Sequence, residues 1–264
     1  MVVVWADEQN ARHNNTEREP HMSQRPVLAA IFCAGLQFIL TVAILKLGAL
    51  YAPPAAFGKV KLVAFASTII LPLVLVQVFG LWSRLGLGVA QLKPTGFFAA
   101  SLLTAALFLP WGYHAPDSVA GTLTIQFFNA IGEELLFRGV IFALLLPLPM
   151  GRAIVLNGVL FGAMHLIHGF MGAPWDVALG KALVTAVCGM MFTAVRYQTG
   201  SLVLVIILHM VLNLCMIFSN IEASAGPAVT FGVERVANVI ELALVAWLLL
   251  AGRRSAAALR ELRA

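Results

Sequence analysis

Ionisable side chains lie inside three otherwise apolar stretches of this sequence. Glu133, Glu134 and Arg138 fall in one stretch, and His165 and His209 fall in two others. An ionisable side chain at the centre of a bilayer costs about 2.5–3.5 kcal/mol on insertion scales, so each of these residues needs a partner or a function. Carboxylates and imidazoles in such surroundings are candidates for general acid and base catalysis.

Helix geometry predicts different surroundings for the two adjacent carboxylates. Glu134 and Arg138 are four residues apart, so they share a helix face and can form an ion pair. Glu133 is rotated from Glu134 by about 100° around the helix. One carboxylate is therefore neutralised by Arg138, and the other is free to face the interior of the bundle, where burial makes it a stronger base. The alternative interpretation is an ion-paired cluster that only holds helices together.

Two further stretches carry chemically useful residues at a four-residue spacing. Phe161 precedes His165 in one, and His209 precedes Asn213 in the other. A single histidine in a membrane helix is usually a hydrogen-bonding packing residue. Two histidines on separate helices, together with the Glu pair and Asn213, offer a base, an oxyanion stabiliser and a positioning amide. Hydrolysis of a peptide bond by an activated water requires these groups.

Motifs for other routes to proteolysis in membranes are missing from the sequence. It contains neither a His-Glu-x-x-His zinc motif nor a Gly-x-Ser-x-Gly nucleophile motif. Asp117 and Asp176 both fall in predicted loops, so paired intramembrane aspartates are also missing.

The composition places these residues in a membrane protein. Of the 264 residues, 61% are hydrophobic and 11% are charged, whereas a soluble domain carries about 25% charged residues. So few charges exclude a cytoplasmic globular enzyme, a nucleic-acid-binding module and a disordered chain. At about 20 residues for each span, the pattern predicts an all-α, polytopic transmembrane bundle of about eight helices. The apolar stretches lie near residues 27–51, 60–82, 96–113, 119–146, 152–168, 177–197, 200–220 and 233–251.

The sequence predicts one membrane domain, residues 26–252, between two polar tails. Residues 1–25 are polar and of mixed charge, which predicts a disordered cytoplasmic tail. Residues 253–264 are rich in arginine and are interpreted as a basic cytoplasmic tail. Glu241 lies nearer the end of its span, where a long side chain can reach the interface.

The distribution of basic residues predicts that both termini are cytoplasmic. With the N-terminus inside, eleven Lys and Arg residues lie on the cytoplasmic side and four on the other. The eleven are Arg12, Arg18, Arg25, Arg84, Lys93, Arg152, Arg196, Arg253, Arg254, Arg260 and Arg263, and the four are Lys59, Lys61, Lys181 and Arg235.

Taken together, the three motifs resemble the CPBP family, the CAAX-protease and bacteriocin-processing membrane proteins that include the Rce1-type prenyl-protein endopeptidases. The likeness covers about residues 120–215. The residues that match the family's Glu-Glu-x-x-x-Arg, Phe-x-x-x-His and His-x-x-x-Asn motifs are Glu133, Glu134, Arg138, Phe161, His165, His209 and Asn213.

The resemblance implies an eight-helix membrane bundle that cleaves peptide bonds in a cavity between the motif-bearing helices. It makes Glu133 the expected general base on water, with His165 beside it. It also implies an oxyanion-binding side formed by His209 and Asn213, with Glu134, Arg138 and Phe161 in supporting positions. Since Glu133 and Glu134 are adjacent, the choice between them as the base stays open at this point.

The resemblance leaves the cofactor and the substrate open. Glu133, His165 and His209 form a carboxylate-and-two-His set that could bind zinc, although no cofactor is required by this interpretation. The expected partner is a membrane-associated protein or peptide in a lipid bilayer, and no nucleic acid. It would be a CAAX-type prenyl protein, a leader peptide or a C-terminal sorting tail. The expected location is a cytoplasmic membrane of bacterial type.

Two other functions could use the same residues. Buried Glu and His side chains also build proton relays, as in a proton-coupled transporter, but no inverted repeat is evident in the sequence. A non-catalytic immunity or scaffold protein is the second alternative. Its usual mark would be a degraded motif, whereas every polar position is present here.

Overall fold

The structure of the protein, a computed structural model, describes the backbone of residues 25–261 and the side chains of residues 25–252. Over this range the fold is all-α, as predicted, and contains no strand. A single isolated bridge joins Tyr113 and Ser219. The predicted N-terminal tail lies outside the described residues except for Arg25, as do the side chains of the predicted basic tail.

Eleven α-helices form the described part of the chain, and short 3-10 turns join several of them. The helices are α1 (Pro26–Tyr51), α2 (Phe57–Phe79), α3 (Gly96–Leu102), α4 (Val119–Glu134), α5 (Phe142–Leu145), α6 (Met150–Met164), α7 (Ile167–Phe170), α8 (Trp175–Thr199), α9 (Leu202–Phe218), α10 (Ile221–Ala225) and α11 (Pro227–Glu261).

Five helical segments in the described part of the chain are long and apolar enough to cross a membrane. They are Pro26–Tyr51, Pro54–Phe79, Met150–Phe170, Trp175–Thr199 and Pro227–Gly252. Between 22% and 33% of the most apolar part of each is buried, so most of its hydrophobic surface faces outwards, as lipid contact requires. The chain is therefore an integral membrane protein. The number of eight spans and the cytoplasmic location of both termini stay predictions.

Helices α6 and α8 pack closely because small residues face each other. A Cβ atom added at Gly162 would collide with the backbone of Ala182 and the side chain of Ala186. Gly158, one turn earlier on α6, lies in the same way against Ala186 and Met190. This small-xxx-small pattern lets the two backbones approach closely, as in other membrane helix pairs. The packing brings the motif residues of α6 next to the middle of α8.

A π-helical segment, Leu135–Ile141, joins α4 to α5. A π-helix replaces the regular i to i−4 hydrogen bonds, and such segments are frequent at functional sites. Two side chains from other helices bond to carbonyl groups inside it. Asn157 Nδ2 donates to the Phe137 carbonyl at 2.7 Å, and Arg196 Nε donates to the Arg138 carbonyl at 3.3 Å. These contacts fix the irregular segment that follows the two glutamates.

Two charged residues lie deeper in the protein than the sequence predicts. Arg196, assigned above to a cytoplasmic segment, is 4% exposed at the end of α8, because carbonyls of Arg84 and Arg138 satisfy its guanidinium. Glu241 is 3% exposed and accepts a 2.9 Å hydrogen bond from Asn238. The prediction that it lies near a span end is wrong, since Glu241 is in the middle of the apolar segment Pro227–Gly252.

Candidate active site

Glu134 and Arg138 form a fully buried ion pair at the junction of α4 and the π-helical segment. Arg138 Nη1 lies 3.0 Å from Glu134 Oε1, and both side chains are 0% exposed. Arg138 Nη2 also donates to the Gly189 carbonyl at 2.8 Å. The predicted pairing of these two residues is confirmed. The arginine therefore ties α4 to α8 while it neutralises one of the two carboxylates.

Gly189 is required at this contact because nothing larger fits. A Cβ atom there would lie 2.8 Å from the ring of Phe161 and 3.2 Å from Arg138 Nη2. The missing side chain also lets the guanidinium of Arg138 stack on aromatic rings, at 4.3 Å from the centroid of Phe161 and 5.1 Å from that of Phe192. A buried cation over an aromatic face is favourable, especially when it is desolvated.

His209 of α9 connects the two glutamates. Its Nδ1 lies 2.8 Å from Glu134 Oε1, and its Nε2 lies 3.8 Å from Glu133 Oε2. The imidazole is buried and stacks on Phe192 with ring centroids 5.1 Å apart. Oε1 of Glu134, which accepts a hydrogen bond from Arg138, also accepts one from Nδ1–H of His209. The Nε2 side of the ring is thus the side that faces Glu133.

Glu133 differs from its neighbour in exposure and in partners. Its side chain is 23% exposed, against 0% for Glu134. Its one ion-pair contact in the described part of the chain is the 3.8 Å approach to His209, which is too long for a direct hydrogen bond. Glu133 is therefore the carboxylate with room for a water molecule or a substrate.

His165 completes this side of the site from the turn that follows α6. Its Nδ1 lies 3.1 Å from the Phe161 carbonyl, which accepts a hydrogen bond and so assigns the proton of a neutral ring to Nδ1. Its Nε2 is then an acceptor. His165 lies within electrostatic range of Glu133. Phe161 packs edge-on against both histidines, with centroids 5.3 Å from His165 and 6.3 Å from His209.

Asn213 lies one turn beyond His209 and contacts α4. Its Nδ2 donates to Gln126 Oε1 at 3.0 Å, and both side chains are half-buried. The structure therefore gathers the predicted residues around the facing surfaces of α4, α6, α8 and α9. Asn213 is on the same helix as His209, but its contact is with the amide of Gln126 and not with the carboxylates.

The predicted zinc ligands do not form a metal site in this arrangement. Among the residues that the structure describes, no group of three or more His, Cys, Asp and Glu side chains is placed to hold a metal ion. Nδ1 of His209 is bonded to Glu134 and Nδ1 of His165 faces the Phe161 carbonyl, which leaves Nε2 of each ring free, as in a metal-binding histidine. Glu133, His165 and His209 are nonetheless not placed together as the ligands of one ion.

Several residues of the site were not predicted from the sequence. Gln126 and Asn157 are amides in apolar stretches, the same signal that identified Asn213, and could have been found by it. Gly189 and Phe192 carry no such signal, because a glycine or a phenylalanine in a membrane helix is ordinary. Their importance depends on which side of α8 faces α6.

This arrangement separates a structural carboxylate from an accessible one, and His209 lies between the two. Glu133 can accept a proton from water. One turn beyond His209 on the same helix, the side chain of Asn213 carries N–H donors. Donors held in a water-poor site are suited to stabilising a developing oxyanion.

Comparison with protein families supports the resemblance drawn from the motifs. Residues 115–215 match the Rce1-like family, described as type II CAAX prenyl endopeptidase Rce1-like. The match includes all three motifs and covers less than half of the 264 residues. A comparison with curated proteins gives no match.

Proposed function

We propose that this protein is an intramembrane endopeptidase in which Glu133 activates water for the hydrolysis of a peptide bond. The family match over residues 115–215 supports a membrane-embedded protease of the CAAX type. The observation that carries the mechanism is the unequal environment of the two adjacent glutamates. Glu134 is buried in an ion pair, whereas Glu133 is partly exposed and has no direct hydrogen bond to a cation.

Water attack begins with the proton transfer to Glu133. The carboxylate of Glu133 removes one proton from water, while Nε2 of His165 accepts a hydrogen bond from the second O–H and orients the oxygen. The hydroxide oxygen then forms a bond to the carbonyl carbon of the scissile peptide. Holding water and substrate in this geometry lowers the entropic part of the barrier.

The tetrahedral intermediate is stabilised from α9. The carbonyl oxygen becomes negatively charged and accepts hydrogen bonds from Asn213 Nδ2 and from His209 Nε2. Since Nδ1 of His209 is bonded to Glu134, donation from Nε2 requires the imidazolium form of the ring. Removing one such donor typically reduces kcat by about 10²–10³-fold. Glu133 then delivers its proton to the departing amine as the C–N bond breaks.

The substrate that we propose is the C-terminus of a membrane-attached protein. The description of the matching family names prenyl substrates with a CAAX ending, so a farnesylated CAAX peptide is the first compound to test. C-terminal sorting tails belong to the same class. Leader peptides, which are N-terminal, are a separate alternative that also presents a peptide bond near the membrane.

The decisive experiment compares membrane proteins in cells that express wild type or the Glu133→Gln variant. New protein termini that occur with wild type but not with Glu133→Gln would support proteolysis and identify the substrate. Glu222→Gln is the matched control, because Glu222 is an exposed glutamate on α10. We expect the control to behave like wild type. Identical termini for wild type and Glu133→Gln, at equal levels of inserted protein, would contradict the proposal and favour the transporter or scaffold alternatives.

A further inference from the structure

One polar bridge next to the site has no role in the mechanism above. Asn213 Nδ2 of α9 donates a 3.0 Å hydrogen bond to Oε1 of Gln126 on α4. The same two helices also meet at Glu134 and His209. The order of the two contacts shows that α4 and α9 run antiparallel, since the earlier residue of α4 meets the later residue of α9.

Helix geometry places Gln126 on the face of α4 that carries the catalytic carboxylate. Gln126 precedes Glu133 by seven residues, which is two turns, and the two side chains therefore project in nearly the same direction. Asn213 follows His209 by four residues and shares its face of α9. The amide bridge thus lies at one end of the surface on which the carboxylate and the imidazole act.

The amide group of Asn213 has a donor side and an acceptor side that must not be exchanged. A carboxamide carries two N–H donors on nitrogen and lone pairs on oxygen. If the Asn213 amide were rotated by 180°, its Oδ1 would replace Nδ2 and would be presented to the substrate carbonyl. Two negatively polarised oxygens, Oδ1 of Asn213 and the carbonyl oxygen of the substrate, would then face each other. Gln126 Oε1 accepts one N–H of Asn213, which fixes the plane of the amide and leaves the second N–H available.

We infer that Gln126 is a positioning residue, whose side-chain oxygen holds Asn213 with its free N–H directed at the substrate carbonyl. Gln126 acts on the reaction through Asn213 and does not itself contact the reacting atoms. The inference rests on the proposed function, because it assigns Asn213 to the oxyanion. It differs from a purely structural bridge, which would join α4 to α9 without affecting the orientation of a donor.

The test is a double-mutant cycle on the full-length protein, with cleavage of a fluorogenic farnesylated CAAX peptide in detergent as the assay. The variants are Gln126→Met, Asn213→Ala and the double variant. Gln126→Met keeps the length of the side chain and removes the acceptor. The matched control is Thr124→Val, because Thr124 is an exposed residue of α4 whose hydroxyl bonds within its own helix.

We expect Gln126→Met to lower kcat about 10-fold with KM unchanged, because a misoriented donor affects the transition state and not substrate binding. Asn213→Ala should lower kcat about 100-fold, within the range for an oxyanion donor. The double variant should be no slower than Asn213→Ala alone, since residues that act through one another are not additive. Thr124→Val should match wild type.

Three results would overturn the inference, and they are distinguishable from one another. Full kcat in Gln126→Met would show that the bridge does not position Asn213. A double variant slowed by the product of the two single effects would show that Gln126 acts independently. If wild type cleaves the peptide no faster than Glu133→Gln, the CAAX substrate is refuted and the cycle is run on the substrate that the comparison of protein termini identifies; if that comparison identifies none, the proposed function falls, and the inference falls with it. Should Gln126→Met not fold, Gln126→Asn replaces it, since a side chain one methylene shorter cannot reach Asn213.

Discussion

At the scale of single residues, Glu133 and Glu134 show how one step along a helix changes the chemistry of a side chain. Both are glutamates in the same apolar stretch, but Glu134 is enclosed by Arg138 and His209 while Glu133 is 23% exposed. The rotation of about 100° between them is the cause. It turns one carboxylate towards α8 and α9 and leaves the other at the edge of the site.

The role of Arg138 is tested by its removal. Arg138→Ala should reduce the amount of folded, inserted protein, because Glu134 would remain as a buried charge without its guanidinium partner. Breaking a buried pair on one side costs about 3–5 kcal/mol. The measurement is the monodisperse fraction on size-exclusion chromatography after extraction in detergent, together with the thermal midpoint.

A double variant distinguishes the effect of the unpaired Glu134 charge from the effect of losing the other contacts of Arg138. Arg138→Ala combined with Glu134→Gln removes both charges and should recover part of the stability. Full expression of Arg138→Ala with loss of cleavage alone would contradict this structural role and place Arg138 in the reaction itself.

At the scale of helices, the site depends on how closely α6 approaches α8. Gly158 and Gly162 form the contact on α6, and Ala182 and Ala186 lie opposite on α8. The same approach sets Phe161 against Gly189. A small shift between these helices would therefore move the aromatic ring that contacts Arg138 and both histidines.

Replacement of one glycine should separate the two helices. Gly162→Ala adds a methyl group that collides with the backbone of Ala182, and overpacking of this kind costs about 1–3 kcal/mol. We expect a lower thermal midpoint and reduced cleavage. Gly180→Ala is the control, since nothing lies within 4 Å of the added Cβ and alanine favours a helix by about 0.5–1 kcal/mol. Equal stability of the two variants would show that α6 and α8 are not held in close contact.

At the scale of the whole molecule, the distribution of charge determines how the bundle lies in the membrane. Arg196 is buried and no longer counts as a loop charge, so the eleven basic residues on the predicted cytoplasmic side become ten, against four on the other side. The asymmetry persists without Arg196. It still favours a cytoplasmic location for both termini.

Reporter fusions test this orientation directly. Green fluorescent protein, which fluoresces when it folds in the cytoplasm, should be bright at either terminus. Alkaline phosphatase, which is active when it is exported, should be inactive at both. Opposite results at the two termini would mean an odd number of spans and would refute the prediction of eight.

The sequence by itself determined the fold class, the membrane location and most of the residues that the structure gathers in the candidate site. Composition decides the membrane location, because so apolar a chain cannot cover a water-exposed surface. The division of the chain into apolar stretches of about 20 residues decides the fold class. The four-residue spacing of Glu134 and Arg138 predicted their ion pair, since helix geometry alone brings such residues together. The three motifs identified the family that residues 115–215 match.

Only the tertiary structure decided which groups from different helices meet. The contact of His209 with Glu134, the bond of Asn157 to Phe137 and the bridge between Gln126 and Asn213 each join residues on separate helices. Periodicity tells which residues share a face of one helix, but it does not tell which face of the next helix lies opposite. Glu241 was misplaced for a related reason, because burial at a helix interface depends on packing and not on distance from a predicted span end. Interhelical contacts follow from the close approach of small residues and from the pairing of buried polar groups, and both are properties of the assembled bundle.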